Sequence, residues 1–187
     1  MISRIVGVFK LDVNTFEEIE HDPSATSQAF IIVLVVALLS GIGRAGSAAL
    51  RAAEAGGSDG SALLGGTNSA ITAFGVAVLI TFIGWVVWSL LTFAIGTILF
   101  GGQATIGEML RVIGFAFAPQ LLGIIPCFGS LVGTLWTLVA GFVAVRQGLD
   151  LDNTKAGITV AIGAVVYFIG LAIVGIVIGG ASGLLAG

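Results

Sequence analysis

The feature that most constrains this chain is a set of three long segments without a charged side chain: Ala70–Phe100, Val112–Val145 and Ala156–Gly187. A helix of about 20 apolar residues crosses the hydrocarbon core of a bilayer. Backbone N–H and C=O groups in lipid need internal partners, which limits the chain to helices or a closed barrel. Barrel strands alternate apolar and polar residues, whereas these segments are continuously apolar. The sequence therefore predicts a multi-pass helical membrane protein.

Composition supports this class and excludes others. Charged residues make up 9% of the 187 residues and hydrophobic residues 57%, whereas charged residues make up about 25% of soluble domains. The net charge of −3 is spread over tails and loops, so no basic surface for nucleic acid is expected. The single cysteine, Cys127, excludes an intramolecular disulfide. The charged N-terminus lacks the apolar core of a cleavable signal peptide.

We predict an all-α fold with a five-helix transmembrane bundle. Residues 1–22 are predicted to be a cytoplasmic amphipathic segment, and residues 23–187 the transmembrane domain. The predicted spans are residues 25–42, 72–99, 104–124, 127–147 and 156–183.

Helix start and stop signals set these bounds. Asp22 and Pro23 supply a side-chain cap and a first-turn proline for the first span. Residues Gly43–Asn68 are expected to be the main loop, although the early part could continue as helix. The second span is expected to be one long tilted helix that ends at Gly101. Pro119 is expected to kink the third span.

A turn near residues 126–130 is predicted to separate the third span from the fourth. The distribution of basic residues predicts the orientation, because cytoplasmic loops carry an excess of Lys and Arg. A cytoplasmic N-terminus places Arg4, Lys10, Arg111, Arg146 and Lys155 inside and Arg44 and Arg51 outside. We therefore expect the C-terminus outside, in a prokaryotic inner membrane.

The N-terminal segment is predicted to be amphipathic. Ile2, Ile5, Val6 and Phe9 recur at helical spacing and form one apolar face. Such a face either lies in the membrane interface, packs under the bundle, or docks a partner.

Three segments carry a family resemblance: NTFEEIEHDPSA before the first span, LRVIGFAFAPQLLGIIP in the third, and AVRQGLDLDNTKA between the last two. With Gly114, Ala118, Pro119 and Arg146 in these patches and five predicted spans, the chain resembles the Yip family of Ypt/Rab-GTPase-interacting membrane proteins in a short prokaryotic form.

The resemblance implies a five-helix membrane domain with a cytoplasmic N-terminus. It also implies a connection to membrane shaping, because eukaryotic relatives are associated with Rab GTPases and vesicle traffic. Those relatives usually have a longer cytosolic N-terminal region than the 22 residues predicted here.

Enzymatic chemistry is not predicted. His21 and Cys127 are expected on opposite membrane faces, so no catalytic pair and no metal cluster is predicted from them. We interpret the acidic cluster that surrounds His21 as a solvated tail, with weak divalent-cation binding as the alternative. The members of that cluster are Glu17, Glu18, Glu20 and Asp22.

Glu108 and Arg111 form the main candidate polar pair, because residues three apart share a helix face. An ion pair with Arg111 extended to the headgroups is one interpretation. A lipid or partner contact, or the mouth of a polar path with Gln120, is the other.

Small residues every four positions predict close helix approach. On the fourth span these are Gly129, Gly133 and Gly141, and on the fifth Gly175, Gly179 and Gly183. Packing within the bundle and an oligomer seam both remain open.

Four aromatic residues fall near mid-span, away from the interfaces that Trp and Tyr usually occupy. They are Trp85, Trp88, Trp136 and Tyr167. They either fill space beside glycines or line a cavity for a lipid, quinone or pigment, and no cofactor is predicted.

The combined prediction is a non-enzymatic membrane protein that acts through membrane lipids and helix contacts. Its predicted role is assembly, scaffolding or membrane shaping, as a homo- or hetero-oligomer. The alternatives are an accessory subunit of an energy-converting membrane complex and a small transporter or channel.

Overall fold

The computed structural model describes the backbone of residues 1–54, 60–125 and 128–185, and the side chains within these ranges except residues 60–65, 171 and 174–185. These ranges are almost entirely helical and contain no strand. The elements in chain order are α1 (Ile2–Phe9), α2 (Val13–His21), α3 (Ala25–Glu54), α4 (Gly60–Phe100), α5 (Ile106–Ala116), a 3-10 helix (Ala118–Ile124), α6 (Gly129–Gly148) and α7 (Asn153–Leu185). The predicted all-α class is confirmed.

Four helices of the described ranges are long and apolar enough to cross a membrane. They are Ala25–Glu54, Gly66–Phe100, Gly129–Gly148 and Asn153–Gly170. The first and second predicted spans lie on α3 and α4, the fourth coincides with α6 from Gly129 onward, and the fifth lies on α7 (Asn153–Leu185). α4 is a single long helix, as expected, and Gly101 ends it with a φ of +69°.

The loop predicted over Gly43–Asn68 is wrong over most of its length. α3 continues to Glu54 and α4 already begins at Gly60, while residues 55–59 lie outside the described residues. Alanine, leucine and arginine dominate the stretch after Gly46, and their helix propensity outweighs the two isolated glycines that precede it. The helical continuation that the sequence left open is the observed one.

The third predicted span is not one kinked helix. α5 ends at Ala116, and the chain continues as the 3-10 helix Ala118–Ile124. Pro119 has no N–H to donate, and its ring would collide with the carbonyl of residue 115 in a continuous α-helix. Because this segment consists of two short helices, a fifth crossing here stays a prediction. The turn at Pro126 and Cys127 lies outside the described residues.

α3 and α4 form an antiparallel pair. The rings of Phe30 and Phe82 lie 5.3 Å apart, and Gly41 contacts Phe74. α5 packs across this pair, where Gly114 approaches Ala29 and Trp85. α4 therefore extends beyond the start of α3, and this extension packs against α5, α7 and the α6–α7 connection.

The buried core lies at this end of the bundle. Its fully buried side chains come from the two short N-terminal helices, from α3, from α5 and from the end of α6. The largest are Phe16, Phe115, Ile19, Met109, Ile113 and Leu149. The core thus joins the N-terminal segment to the spanning helices.

Candidate functional site: a polar cluster and an apolar cavity

The N-terminal helices α1 and α2 form a compact pair, which we call the N-terminal hairpin (residues 2–21). Gly7 lies against the Thr15 side chain, so that the two helices approach closely. Asp12 caps α2 by accepting a hydrogen bond from the Asn14 N–H at 3.2 Å. Val8 and Phe16 are fully buried in the common core. The hairpin therefore has a defined position on the bundle.

Arg4 ties this hairpin to the start of α3. Its Nη2 atom donates to Glu18 Oε1 at 2.8 Å and to Asp22 Oδ2 at 2.5 Å, and its Nη1 atom donates to Gln28 Oε1 at 3.4 Å. The pKa of Asp22 is lowered to about 2, because Ser24 and Arg4 hydrogen-bond the ionised carboxylate. Asp22 also accepts from the Ser24 N–H, as the predicted helix start requires.

The predicted ion pair of Glu108 and Arg111 is loose, because Arg111 Nη2 lies 3.9 Å from Glu108 Oε1. Glu108 belongs to a capping box, in which its Oε2 atom accepts from the Thr105 N–H at 2.6 Å. The buried guanidinium of Arg111 donates instead to the backbone carbonyl of Glu20, with its Nε atom at 3.1 Å. Arg111 thus holds the end of α2 against α5 from within the protein.

Gln147 makes the corresponding contact between α6 and α2. Its Nε2 atom donates to the Glu17 carboxylate. The side-chain amide oxygen of Gln147, Oε1, accepts from Arg146 Nε at 2.7 Å. The Nη1 atom of Arg146 also donates to Asn153 Oδ1 at 3.0 Å. Gln147 is not among the residues predicted from the sequence, although a glutamine beside an arginine at the end of an apolar run is a signal for an interfacial polar contact.

The solvated-tail interpretation is wrong for Glu20. Glu20 is only 5% exposed as a whole residue, whereas the side chain of Glu18 is 61% exposed. Burial, with a smaller contribution from the nearby Asp150 carboxylate, raises the pKa of Glu20 to about 7, while His21 opposes this change. One carboxylate oxygen of Glu17, one of Glu20 and one ring nitrogen of His21 all lie within 4.8 Å of one another. Spacing along α2 places these groups together, and helix packing, which composition does not reveal, buries Glu20.

An apolar cavity of about 320 Å³ lies between α4, α5, the 3-10 helix, α6 and α7. Trp88 and Tyr167 line it in an edge-on arrangement, with ring centroids 5.9 Å apart. Its polar lining residues include Thr137 and Gln120, and Gln120 also borders a second crevice beside Ser40 and Gly43. The buried hydroxyl of Thr137 has no hydrogen-bond partner in the described part of the chain.

The other two mid-span aromatics lie elsewhere. The indole of Trp85 is buried and donates to the Leu110 carbonyl at 3.0 Å. Trp136 is 39% exposed and donates to the Phe9 carbonyl at 3.0 Å. The structure therefore brings only Trp88 and Tyr167 of the four to the cavity.

The glycines of α6 have different surroundings. Gly129 lies against the carbonyl of Leu122, and Gly133 against that of Pro119. Gly141 faces the cavity, with no heavy atom within 4 Å of an added Cβ. Gly175, Gly179 and Gly183 fall within α7, where the packing lies outside the described side chains.

The apolar face predicted for α1 divides in two. Ile5 and Phe9 pack against the buried core. Ile2 is 75% exposed and Val6 is 45% exposed. Part of the face holds α1 on the bundle, and part remains free to contact another apolar phase.

The four long helices, with large apolar side chains exposed along them, define a polytopic α-helical membrane protein. A family model described as the Yip1 domain matches residues 6–176. This match spans most of the 187 residues, and the chain belongs to the Yip family. No curated protein and no solved structure matches the chain.

Proposed function

We propose that this Yip-family protein organises the membrane that contains it, as a non-enzymatic scaffold or membrane-shaping component that forms homo- or hetero-oligomers. In the proposed topology the N-terminus is cytoplasmic and the C-terminus is outside, in a prokaryotic inner membrane. The observation that carries the proposal is the apolar face of Ile2 and Val6, exposed on a helix that is fixed to the bundle.

The position of α1 supports an interfacial location for this face. Trp136 holds the last turn of α1, and the residues around Trp136 on α6 are themselves exposed and apolar: Leu135 is 56% exposed and Val139 is 46% exposed. α1 therefore lies along the apolar flank at the hairpin end of the bundle. Exposed Lys10 at the helix end can extend to the headgroups.

An interfacial helix fixed at one end of a bundle acts on one leaflet. Its apolar face displaces lipid from that leaflet only, and binding of this kind is sensitive to curvature. The bundle prevents α1 from detaching, since Arg4 binds Asp22 and Val8 is fully buried. This geometry favours membrane shaping over a loosely attached recruitment tail.

The test is reconstitution of the full chain at a fixed protein-to-lipid ratio, with vesicle diameter measured by electron cryomicroscopy. We expect the wild type to give smaller vesicles or tubules than protein-free lipid. We expect the double variant Ile2→Ser/Val6→Ser to lose this effect. Leu50→Ser is the matched control, because Leu50 is 67% exposed at the far end of α3.

Equal vesicle diameters with the wild type, the double variant and protein-free lipid would contradict membrane shaping. The scaffold role is tested separately by cross-linking in native membranes, followed by mass spectrometry. Recovery of a fixed partner set would favour the accessory-subunit alternative.

A second function is favoured by the cavity. An apolar chamber with an unpartnered Thr137 hydroxyl and the Gln120 amide suits an amphipathic lipid, which would make the protein a lipid carrier or small transporter. Gly141→Leu fills the cavity, and we expect it to remove lipid that co-purifies in native mass spectrometry. Lipid retained at wild-type stoichiometry would contradict this function.

A further inference from the structure

Three metal-ligating side chains share one face of α2. Glu17, Glu20 and His21 are spaced i, i+3 and i+4, and this spacing places side chains next to one another on a helix. Their candidate ligand atoms all lie within 4.8 Å of one another. Atoms bound tetrahedrally to one zinc ion lie about 3.4 Å apart, so the side chains need to close by little more than an ångström.

The Glu20 carboxylate points to a bound cation. Glu20 is 5% exposed as a whole residue, and its buried Oε2 atom has no hydrogen-bond partner among the described residues. A buried carboxylate without a partner is costly, and proteins normally pair such a group or let it coordinate a metal. Arg111 donates to the backbone carbonyl of Glu20, and none of its hydrogen bonds in the described residues goes to the Glu20 carboxylate.

His21 and Glu17 each have a hydrogen bond of the kind that orients metal-ligating side chains. The Nδ1 atom of His21 lies 2.9 Å from the Glu17 carbonyl oxygen. In the tautomer in which Nδ1 donates to that carbonyl, the lone pair of Nε2 is free for a metal. Gln147 donates to the Glu17 carboxylate and orients it.

We propose that Glu17, Glu20 and His21 bind one divalent transition-metal ion of the Zn²⁺ type, with water completing its coordination. Two carboxylates and an imidazole provide the mixed oxygen and nitrogen set that Zn²⁺ accepts, whereas Mg²⁺ and Ca²⁺ prefer oxygen alone. The ion neutralises the Glu20 charge. It also stabilises the last turns of α2 between the Arg111 and Gln147 contacts, and therefore the position of the N-terminal hairpin.

The experiment uses the full chain in mild detergent, stripped with EDTA and carrying an affinity tag without histidine. Equilibrium dialysis with Zn²⁺ measures stoichiometry and affinity, and thermal unfolding measures the linked stabilisation. We expect one saturable site per chain and a rise of Tm on adding Zn²⁺. Glu20→Gln and His21→Gln should each weaken binding by at least about tenfold and remove the rise of Tm.

Glu18→Gln is the matched control. Glu18 lies on the same helix with an exposed side chain and does not belong to the three ligands. His21→Gln changes an exposed residue, and Glu20→Gln removes a buried charge, so both variants should fold with the wild-type circular dichroism spectrum. Zn²⁺ binding that is equally tight in wild type and both ligand variants overturns the proposal. So does saturable Mg²⁺ or Ca²⁺ binding that His21→Gln leaves unchanged.

Discussion

The end of the bundle that carries the N-terminal hairpin and the apolar part that extends away from it are packed by different rules. At the hairpin end, large side chains such as Phe16 and Met109 are fully buried and charged groups surround them, as in a soluble domain. In the apolar part, Ile71 is 65% exposed and Phe168 is 67% exposed. At the hairpin end, hydrophobicity decides which side chains are buried. In the apolar part it cannot, because the surrounding lipid is as apolar as the side chains.

In the apolar part, the size of the residues decides which helix faces pack against each other. Gly41 lies against the ring of Phe74, and the hydroxyl of Tyr167 lies 3.1 Å from where a Cβ of Gly84 would be. Close approach of helices at small residues is the usual source of contact energy where lipid is as apolar as the side chains. The comparison therefore predicts that charge changes act at the hairpin end and volume changes in the apolar part.

The largest effect is expected for Glu20→Gln at the hairpin end. The pKa of Glu20 in the folded state is about 7, above its ordinary value of 4.5. An acid with a raised pKa stabilises the fold when it is protonated, so the wild type should lose stability as the pH rises from about 4.5 to 7. This raised pKa corresponds to a loss of about 2 to 3 kcal/mol in the free energy of unfolding by pH 8.

Thermal unfolding in EDTA between pH 5 and 8 measures this effect, which Glu20→Gln should largely remove. The charged groups that act on Glu20 are Asp150, Glu17, Glu108 and His21, with the Arg111 guanidinium on its carbonyl. Asp150→Asn is a useful control, because it should reduce the pH dependence without abolishing it. Identical profiles for wild type and Glu20→Gln would show that Glu20 is solvated in the folded state.

The same contrast explains what the sequence could predict. Uncharged segments predicted the helical membrane class and the approximate positions of α3, α4, α6 and α7, because lipid imposes length and composition directly. The break between α5 and the 3-10 helix depends on how a proline-containing segment is accommodated, and a kinked helix was an equally valid solution locally.

The candidate site was less predictable than the fold. Spacing along α2 places Glu17, Glu20 and His21 together, but only the packing of Val8 and Phe16 explains why the hairpin docks and buries Glu20. The mid-span position of the four aromatics left space filling and a cavity lining both open. The cavity depends on contacts among five elements, and the structure brings Trp88 and Tyr167 to it but not Trp85 or Trp136.

A smaller effect is expected from adding volume on α6. Gly133→Ala places a Cβ 2.7 Å from the Pro119 carbonyl oxygen, which belongs to backbone and cannot rotate away. Overpacking of this kind should cost about 2 kcal/mol. Gly141→Ala, two turns along the same helix, meets no atom within 4 Å and should be neutral or slightly stabilising.

Unfolding by SDS titration in mixed micelles compares the two variants directly. A loss of stability in Gly133→Ala alone would show that this part of the bundle is governed by close approach. Equal stabilities would mean that the 3-10 helix moves away from α6 at little cost, and the packing rule for the apolar part would not apply there.

The smallest effect is expected where the two regions meet, at the hydrogen bond from Trp136 on α6 to the Phe9 carbonyl of α1. Trp136→Phe keeps an aromatic ring and removes one donor, which should cost about 1 kcal/mol. Hydrogen exchange of the amides in α1 should quicken several-fold, while α5 stays protected. Trp85→Phe is the matched control, because it removes the corresponding bond to Leu110 and should affect α5 instead. Unchanged exchange in α1 would mean that Arg4 and the buried Val8 hold the hairpin without help from the apolar flank.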